Sequence, residues 1–206
     1  MSFLQKIKDN TRDKSRDNFY QHLITLGIDV SLAERGAKEE KLFNPWHRRS
    51  LGIININSDS LISYINIIKR DRSKDTPPRW WYYFGIPSKT SGNKSDYIEV
   101  KSTRIKSFPV FGKVKSIRWD FNANGEILAE KFTKDSDINS LSMDLGNIKV
   151  QSLHENFSGY SIELEFKGKG AKSTGKGAKS TTLHINHWNT LNKIAKIFIE
   201  NKKTNL

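Results

Sequence analysis

Apolar and polar residues alternate along much of the middle of the chain, and this period of two predicts β-strands. Isoleucine, valine and aromatic residues fill these segments, while glycine, proline, asparagine and aspartate lie between them. The densest segment, Trp80 to Phe84, is aromatic at every position, so one of its faces must be core and we expect most of these rings to be buried. The predicted strands are 51–56, 60–69, 79–86, 97–105, 113–121, 126–132, 148–153, 160–167 and 181–185.

Three pairs of consecutive strands are close enough in sequence to form antiparallel hairpins. The turn that joins the second pair, Asn122 to Gly125, is rich in residues that tolerate positive φ. The predicted hairpins are 79–86 with 97–105, 113–121 with 126–132, and 148–153 with 160–167.

Helices are predicted near the N-terminus. A stripe at three-to-four spacing runs from Phe19 to Leu26, and Gly27 is expected to end that helix. Ser31 and Glu34 have the spacing of a capping box, which predicts a second, short helix over 32–41.

The C-terminal segment 187–202 has a narrow apolar stripe, with Lys193 and Lys196 lying off it. Such a stripe is typical of a helix packed on a sheet. A helix lying on a membrane surface is the alternative, and we favour packing. The stripe consists of Trp188, Leu191, Ile194, Ala195 and Phe198.

Together these elements predict one α+β domain over residues 1–206. We expect a curved, mainly antiparallel sheet of about seven or eight strands, with N-terminal helices and a C-terminal helix packed on it. Barrel-like closure of this sheet is left open. The segments are an N-terminal helical part (1–43), a β-rich core (50–167), a mobile basic loop (168–181) and a last strand and helix (182–206).

The amino-acid composition limits the cellular compartments and the kinds of site that can be expected. The chain has no cysteine, which excludes disulfides, thiolate metal sites and cysteine nucleophiles and fits a reducing compartment. No window approaches the roughly 20 apolar residues that cross a bilayer, and the charged start is unlike a secretory signal. The sequence therefore predicts a soluble, intracellular protein of the cytoplasm, with no transmembrane segment.

Charge is the strongest functional signal. The net charge is +13, and two basic blocks, 51–120 and 167–206, flank an acidic block, 121–166. A basic surface of this kind is typical of a protein that binds a polyanion. Between Glu99 and Asp120 six basic residues occur without an acid, and we expect them to contact phosphates. They are Lys101, Arg104, Lys106, Lys113, Lys115 and Arg118.

A tandem duplication supplies further lysines. The seven residues 168–174 are repeated at 175–181, and the repeat holds only Gly, Lys, Ala, Ser and Thr. Its Gly170 to Lys176 spacing is similar to a phosphate-binding loop, but Gly177 stands where that loop needs a hydroxyl, and no helix is predicted to follow. The repeat is either a basic arm on a nucleic-acid backbone or an insertion that a surface loop tolerates, and the two can hold together. Its lysines are Lys169, Lys172, Lys176 and Lys179.

The leading hypothesis is therefore non-catalytic binding of nucleic acid, DNA or RNA, by this chain alone or within a larger assembly. It requires no cofactor. A second hypothesis is a structural or docking protein that binds acidic protein or anionic lipid. No metal site is predicted, because the only close histidine pair, His184 and His187, supplies too few ligands.

A third hypothesis is a metal-dependent nuclease. Glu99-Val-Lys101 resembles the (D/E)-x-K half of the PD-(D/E)xK nuclease motif, and alternation places both side chains on one strand face. That resemblance implies that Glu99 holds Mg²⁺ and that Lys101 polarises water or phosphate. In the predicted hairpin Tyr83 lies opposite Glu99, so Asp75 is too distant to complete the site.

Overall fold

A computed structural model describes residues 13–42, 48–88, 97–107, 113–153, 157–167 and 183–203. In chain order these residues form α1 (Ser15–Thr25), β1 (Val30–Leu32), a 3₁₀ turn (Lys38–Lys41), β2 (Arg49–Ile56), β3 (Tyr64–Arg70), β4 (Arg79–Pro87), β5 (Glu99–Lys106), β6 (Val114–Phe121), a 3₁₀ turn (Ala123–Gly125), α2 (Glu126–Lys134), α3 (Ser136–Leu145), β7 (Ile148–Leu153), β8 (Gly159–Lys167) and α4 (Ile185–Lys203).

All eight described strands belong to one sheet in the order β1-β2-β3-β4-β8-β7-β5-β6, and every neighbouring pair is antiparallel. The predicted α+β class, the antiparallel sheet, its strand number and the terminal helices are confirmed. Barrel-like closure is not formed, since β1 and β6 stand at opposite ends of the strand order.

The predicted partner of β4 is wrong. β4 pairs with β3 and β8, while β5 pairs with β6 and β7. Tyr83 therefore lies opposite Glu163, and Glu99 lies opposite Gln151. The last hairpin of the chain, β7 with β8, is confirmed and inserts between β4 and β5. Local pattern cannot reveal such an insertion, because strand pairing depends on segments far apart in sequence.

The strand predicted at 126–132 is wrong, since this segment is helix α2. Leu128, Ala129 and Phe132 are buried together, as helical spacing requires, and Ile127 is half exposed. The Phe132 ring packs 5.0 Å from that of Trp119 on β6, so the helix buries its stripe against the sheet. The helix that follows, α3, was not predicted; Asp135 caps it by accepting hydrogen bonds from two backbone N–H groups.

At the N-terminus, α1 and the positive φ of Gly27 agree with the prediction. The short helix predicted over 32–41 is wrong. Ser31 lies in β1, which pairs with β2 and buries Val30, and the Ser31 hydroxyl donates to the Asn57 side chain instead of capping a helix. The strand predicted at 181–185 is not formed at its described end, because α4 begins at Ile185, and residues 181–182 lie outside the described ranges.

The main core lies between the sheet and all four helices. Trp80, Tyr82 and Phe84 point into it from β4, and the predicted stripe of α4 is buried against it. Packing of α4 on the sheet is thus confirmed. The strongest contributors from α4 are Trp188, Leu191, Ile194, Ala195 and Phe198.

The opposite side of the sheet, here called the open face, carries a smaller buried cluster of Ile68, Trp81 and Tyr83. The 3₁₀ turn near Glu39 lies over part of it, since the Asn66 side chain donates to the Glu39 carbonyl over 2.9 Å. Trp81 is 5% exposed and Tyr83 2%. Both faces of the aromatic strand are therefore core, and its rings are not available for base stacking.

Candidate functional site

Strands β5 and β6 form an edge hairpin that carries the six predicted basic residues, and we call these two strands and their cations the basic hairpin. Five of the six side chains are exposed and Arg104 is half-buried. Alternation divides them between two faces: Lys101 and Arg118 lie on the open face, whereas Arg104 lies opposite Ile117 on the helix side. A bulge between Ile105 and Lys106 interrupts the register. The cations therefore surround the sheet edge rather than line one face.

Most of these cations lack a partner. Arg118 binds Asp120, with Nε 2.9 Å from Oδ1, and the Thr103 hydroxyl donates to the same carboxylate. Those hydrogen bonds, from Thr103 first and then Arg118, lower the pKa of Asp120 below its ordinary value. The other five cations form no ion pair or hydrogen bond with any described residue. Asp120 is thus the one described acid that forms an ion pair with any of these six cations.

Some cations elsewhere on the described surface are paired. Lys69 lies 2.8 Å from Asp13 and 3.0 Å from Asp71. Lys193 on α4 lies 2.6 Å from Asp135 and 2.9 Å from Asp137. Others, such as Arg72 and Lys74, form no ion pair with a described residue. The basic hairpin is therefore distinguished by the number of unpaired cations gathered in one hairpin, not by unpaired charge alone.

The lysines of the tandem repeat, Lys169, Lys172, Lys176 and Lys179, lie outside the described residues. The strand that leads into the repeat, β8, pairs at its end with the start of β4, Lys167 opposite Arg79. That end of β8 is where the chain enters the repeat.

Next to the basic hairpin, the open face contains a pocket of about 450 Å³, which we call the open-face pocket. Strands β4, β8, β7 and β5 supply its floor, and Arg48 supplies one wall. Lys101 belongs both to this pocket and to the basic hairpin. The pocket is lined by Arg48, Tyr83, Lys101, Asn147, Ile148, Lys149, Gln151, Glu163 and Glu165.

Ion pairs fix several of these side chains. Lys149 Nζ lies 2.9 Å from Glu99 Oε2, and Arg79 Nη1 lies 3.0 Å from Glu165 Oε1. The Tyr97 hydroxyl also donates to Glu99. Burial alone would raise the pKa of Glu99, but the hydrogen bonds from Tyr97 and Lys149 outweigh it and lower the pKa.

Glu163 has the opposite electrostatic environment. It is half-buried, and burial raises its pKa despite the nearby charges of Lys149 and Arg48 and a hydrogen bond from Tyr83. The guanidinium of Arg48 lies 4.0 Å from the Trp81 ring centre, and its Nη1 is 3.4 Å from the Tyr83 hydroxyl. Arg48, Tyr83 and Glu163 therefore form a connected group whose positions are set by a buried aromatic base.

Glu99 and Lys101 share the open face, as alternation predicts. Glu99 is paired with Lys149, while Lys101 forms no close ion pair with a described residue and acts on Glu99 and Asp120 at longer range. Within the described ranges, no three His, Asp or Glu side chains are grouped to hold a metal ion. His187 instead lies 3.3 Å from Asp144, and its Nδ1 accepts a hydrogen bond from the His184 backbone.

Sequence analysis missed Lys149, Glu163 and Glu165 as site residues. They lie on β7 and β8, which only the pairing of these strands with each other and with β5 brings beside the basic hairpin. The alternation of Glu163 and Glu165 with apolar residues in β8 was the one local sign of a polar face.

Comparisons with models of protein families, with curated proteins and with solved structures find no match to this chain. None of the helices that the structure describes is long and apolar enough to cross a membrane. Functional inference consequently depends on the geometry and charge of the two regions described above.

Proposed function

We propose that this chain binds nucleic acid without catalysis and that the basic hairpin contacts the phosphate backbone. The observation that carries the proposal is the absence of described partners for five of its six cations. An exposed cation without a carboxylate loses little on meeting a phosphate, because it has no existing ion pair to break.

The shape of the region supports the same function. β6 is the last strand of the sheet, so the hairpin projects its side chains from both faces at an edge that a polymer can reach. Lysine and arginine contacts to phosphate position a nucleic acid without reading its sequence. The lysines of the tandem repeat would add further contacts of this kind, and the fixed pairs around Lys69 and Lys193 would not.

The test is a salt-titrated binding assay with labelled single- and double-stranded DNA and RNA. Affinity should fall steeply with salt, because bound phosphates release counterions, by about 0.7–0.9 in log K per log salt for each phosphate neutralised. Binding that hardly changes between low and high salt would contradict the proposal. Binding to anionic vesicles that nucleic acid does not displace would favour the docking hypothesis instead.

A metal-dependent nuclease using Glu99 and Lys101 remains the second candidate, since the two side chains share the open face beside the open-face pocket. The same assay is therefore run with and without Mg²⁺, and the length of the nucleic acid is checked on gels. Cleavage that requires Mg²⁺ and is lost in Glu99→Ala would establish that candidate. Intact nucleic acid under all conditions is the result expected here.

A further inference from the structure

The open-face pocket contains a cation and a carboxylate that could bind a ligand with both an acidic group and a hydrogen-bond donor. Lys101 offers an ammonium that forms no close ion pair with a described residue and interacts with the carboxylates of Glu99 and Asp120 only at longer range. Glu163 accepts a hydrogen bond from Tyr83, and a carboxylate has room for about four such bonds. Among the other charged groups, Glu99 is paired with Lys149 and Arg79 with Glu165. Arg48 lies over the Trp81 ring and donates to the Tyr83 hydroxyl, so these groups hold the walls in place.

Lys101 and Glu163 are separated by two strand spacings. Lys101 lies opposite Lys149, and Lys149 lies opposite Glu163, so their Cα atoms are about 10 Å apart at roughly 4.8 Å per strand. A base and its own phosphate can span such a distance. The volume of about 450 Å³ lies within the range of ordinary small-ligand sites, roughly 300–1,000 Å³.

We propose that the open-face pocket takes one unpaired nucleotide of a bound single strand, with its phosphate on Lys101 and the amino group of its base on Glu163. This inference rests on the proposed function and specifies its substrate, because Lys101 connects the open-face pocket to the basic hairpin. A base can enter only when it is unpaired, which is the usual condition for protein side chains to read its Watson–Crick edge.

Two preferences follow. Single strands bind more tightly than duplexes of the same sequence, since a duplex reaches the basic hairpin but not the open-face pocket. Bases that carry an exocyclic amino group bind better than uracil or thymine, because the carbonyl oxygens of the latter face the Glu163 carboxylate as acceptors.

The discriminating variant is Glu163→Gln, which keeps the size of the side chain and removes its charge. Its matched control is Glu130→Gln, an exposed position on α2 that loses the same charge away from the open face. Loss of a negative charge alone strengthens binding of any polyanion. We expect Glu163→Gln to weaken binding of an adenine-rich single strand about tenfold, the scale of one lost charged hydrogen bond, with duplex affinity unchanged or raised.

Glu130→Gln should raise the affinity for single strands and for duplexes by the same factor. The same result for Glu163→Gln would overturn the pocket proposal and leave the proposed function standing. A second measurement uses the unaltered protein, so that misfolding of the variant cannot obscure the answer. In NMR titrations, adenosine monophosphate should perturb the amides of Lys149 and Glu163 at lower concentration than uridine monophosphate. The pocket proposal would likewise be overturned if the two nucleotides had equal effects or if neither had any effect. Tighter binding of the zwitterion glycine than of adenosine monophosphate would also overturn it.

Discussion

The basic hairpin and the open-face pocket lie side by side on one sheet and share Lys101, but their charges are arranged differently. In the pocket, Lys149 is paired with Glu99, and Glu165 is paired with Arg79. In the hairpin, cations are exposed and most lack a described partner. The first arrangement fixes side chains around a defined volume; the second leaves charge available to a partner from outside.

This comparison separates stability from binding. Groups that touch one another in the fold contribute to the free energy of unfolding, and exposed unpaired cations contribute little or reduce it by mutual repulsion. Substitutions in the pocket should therefore act on stability as well as on the bound nucleotide, whereas substitutions of the hairpin cations should act on binding alone.

The largest expected effect is on the aromatic base of the open face. Trp81→Ala removes a ring that is 5% exposed and that supports the Arg48 guanidinium at 4.0 Å. Truncation of a buried aromatic side chain costs about 3–5 kcal/mol, and we expect that loss in urea unfolding. Phe121→Ala on β6 is the control, since Phe121 is 49% exposed and its loss should cost about 1 kcal/mol or less. Equal costs would contradict the contrast.

Two carboxylates of the open face, Glu99 beside the pocket and Glu163 in its lining, should give opposite pH dependences of stability. The pKa of Glu99 is lowered in the fold, so its contribution is present above the unfolded value near 4.5 and is lost as pH falls through the folded pKa. The pKa of Glu163 is raised, so the folded state retains its proton longer and stability falls as pH rises from about 4.5 through the folded pKa.

Unfolding free energies measured between about pH 3 and 8 check both signs. Glu99→Gln should flatten the acid side of the profile relative to the unaltered protein. Glu163→Gln should instead remove the decline toward neutral pH. Identical profiles for the two variants would show that the carboxylates do not differ as described.

The smallest expected effect concerns the acid that neutralises part of the basic hairpin. Asp120→Asn frees Arg118 and removes one negative charge beside Lys101. An exposed ion pair is worth about 0–1 kcal/mol, so affinity for nucleic acid should rise up to about fivefold. Asp137→Asn, which removes an exposed charge that binds Lys193 on α4, should change affinity less. A fall in affinity for Asp120→Asn would contradict the phosphate-contact account.

The fold class, the terminal helices and the β7–β8 hairpin could be predicted because each depends on local periodicity. The 126–132 segment shows where this fails: Leu128, Ala129 and Phe132 fit a short strand or a helix face, and contact with Trp119 decides between them. The order of strands could not be predicted, since β8 pairs with β4 although β5, β6, α2, α3 and β7 all lie between them in sequence.

The candidate sites differ in the same way. The basic hairpin was visible as a run of six cations without an acid, and its two strands, β5 and β6, are neighbours in sequence. The open-face pocket was not visible, because Arg48 and Glu163 are far apart in sequence and meet only through Trp81 and Tyr83. Its one predicted member, Lys101, was chosen for its charge rather than for the pocket.

The central claim is that unpaired cations of the basic hairpin bind phosphate, and the most direct measurement compares two triple variants by salt-titrated binding. One variant replaces Lys106, Lys113 and Lys115 with Gln, and the control replaces the exposed lysines Lys74, Lys134 and Lys196. If these cations bind phosphate, the hairpin variant should lower the slope of log K against log salt by about 2 to 3, and the slope of the control variant should stay close to that of the unaltered protein. Equal slopes for the two variants would contradict it.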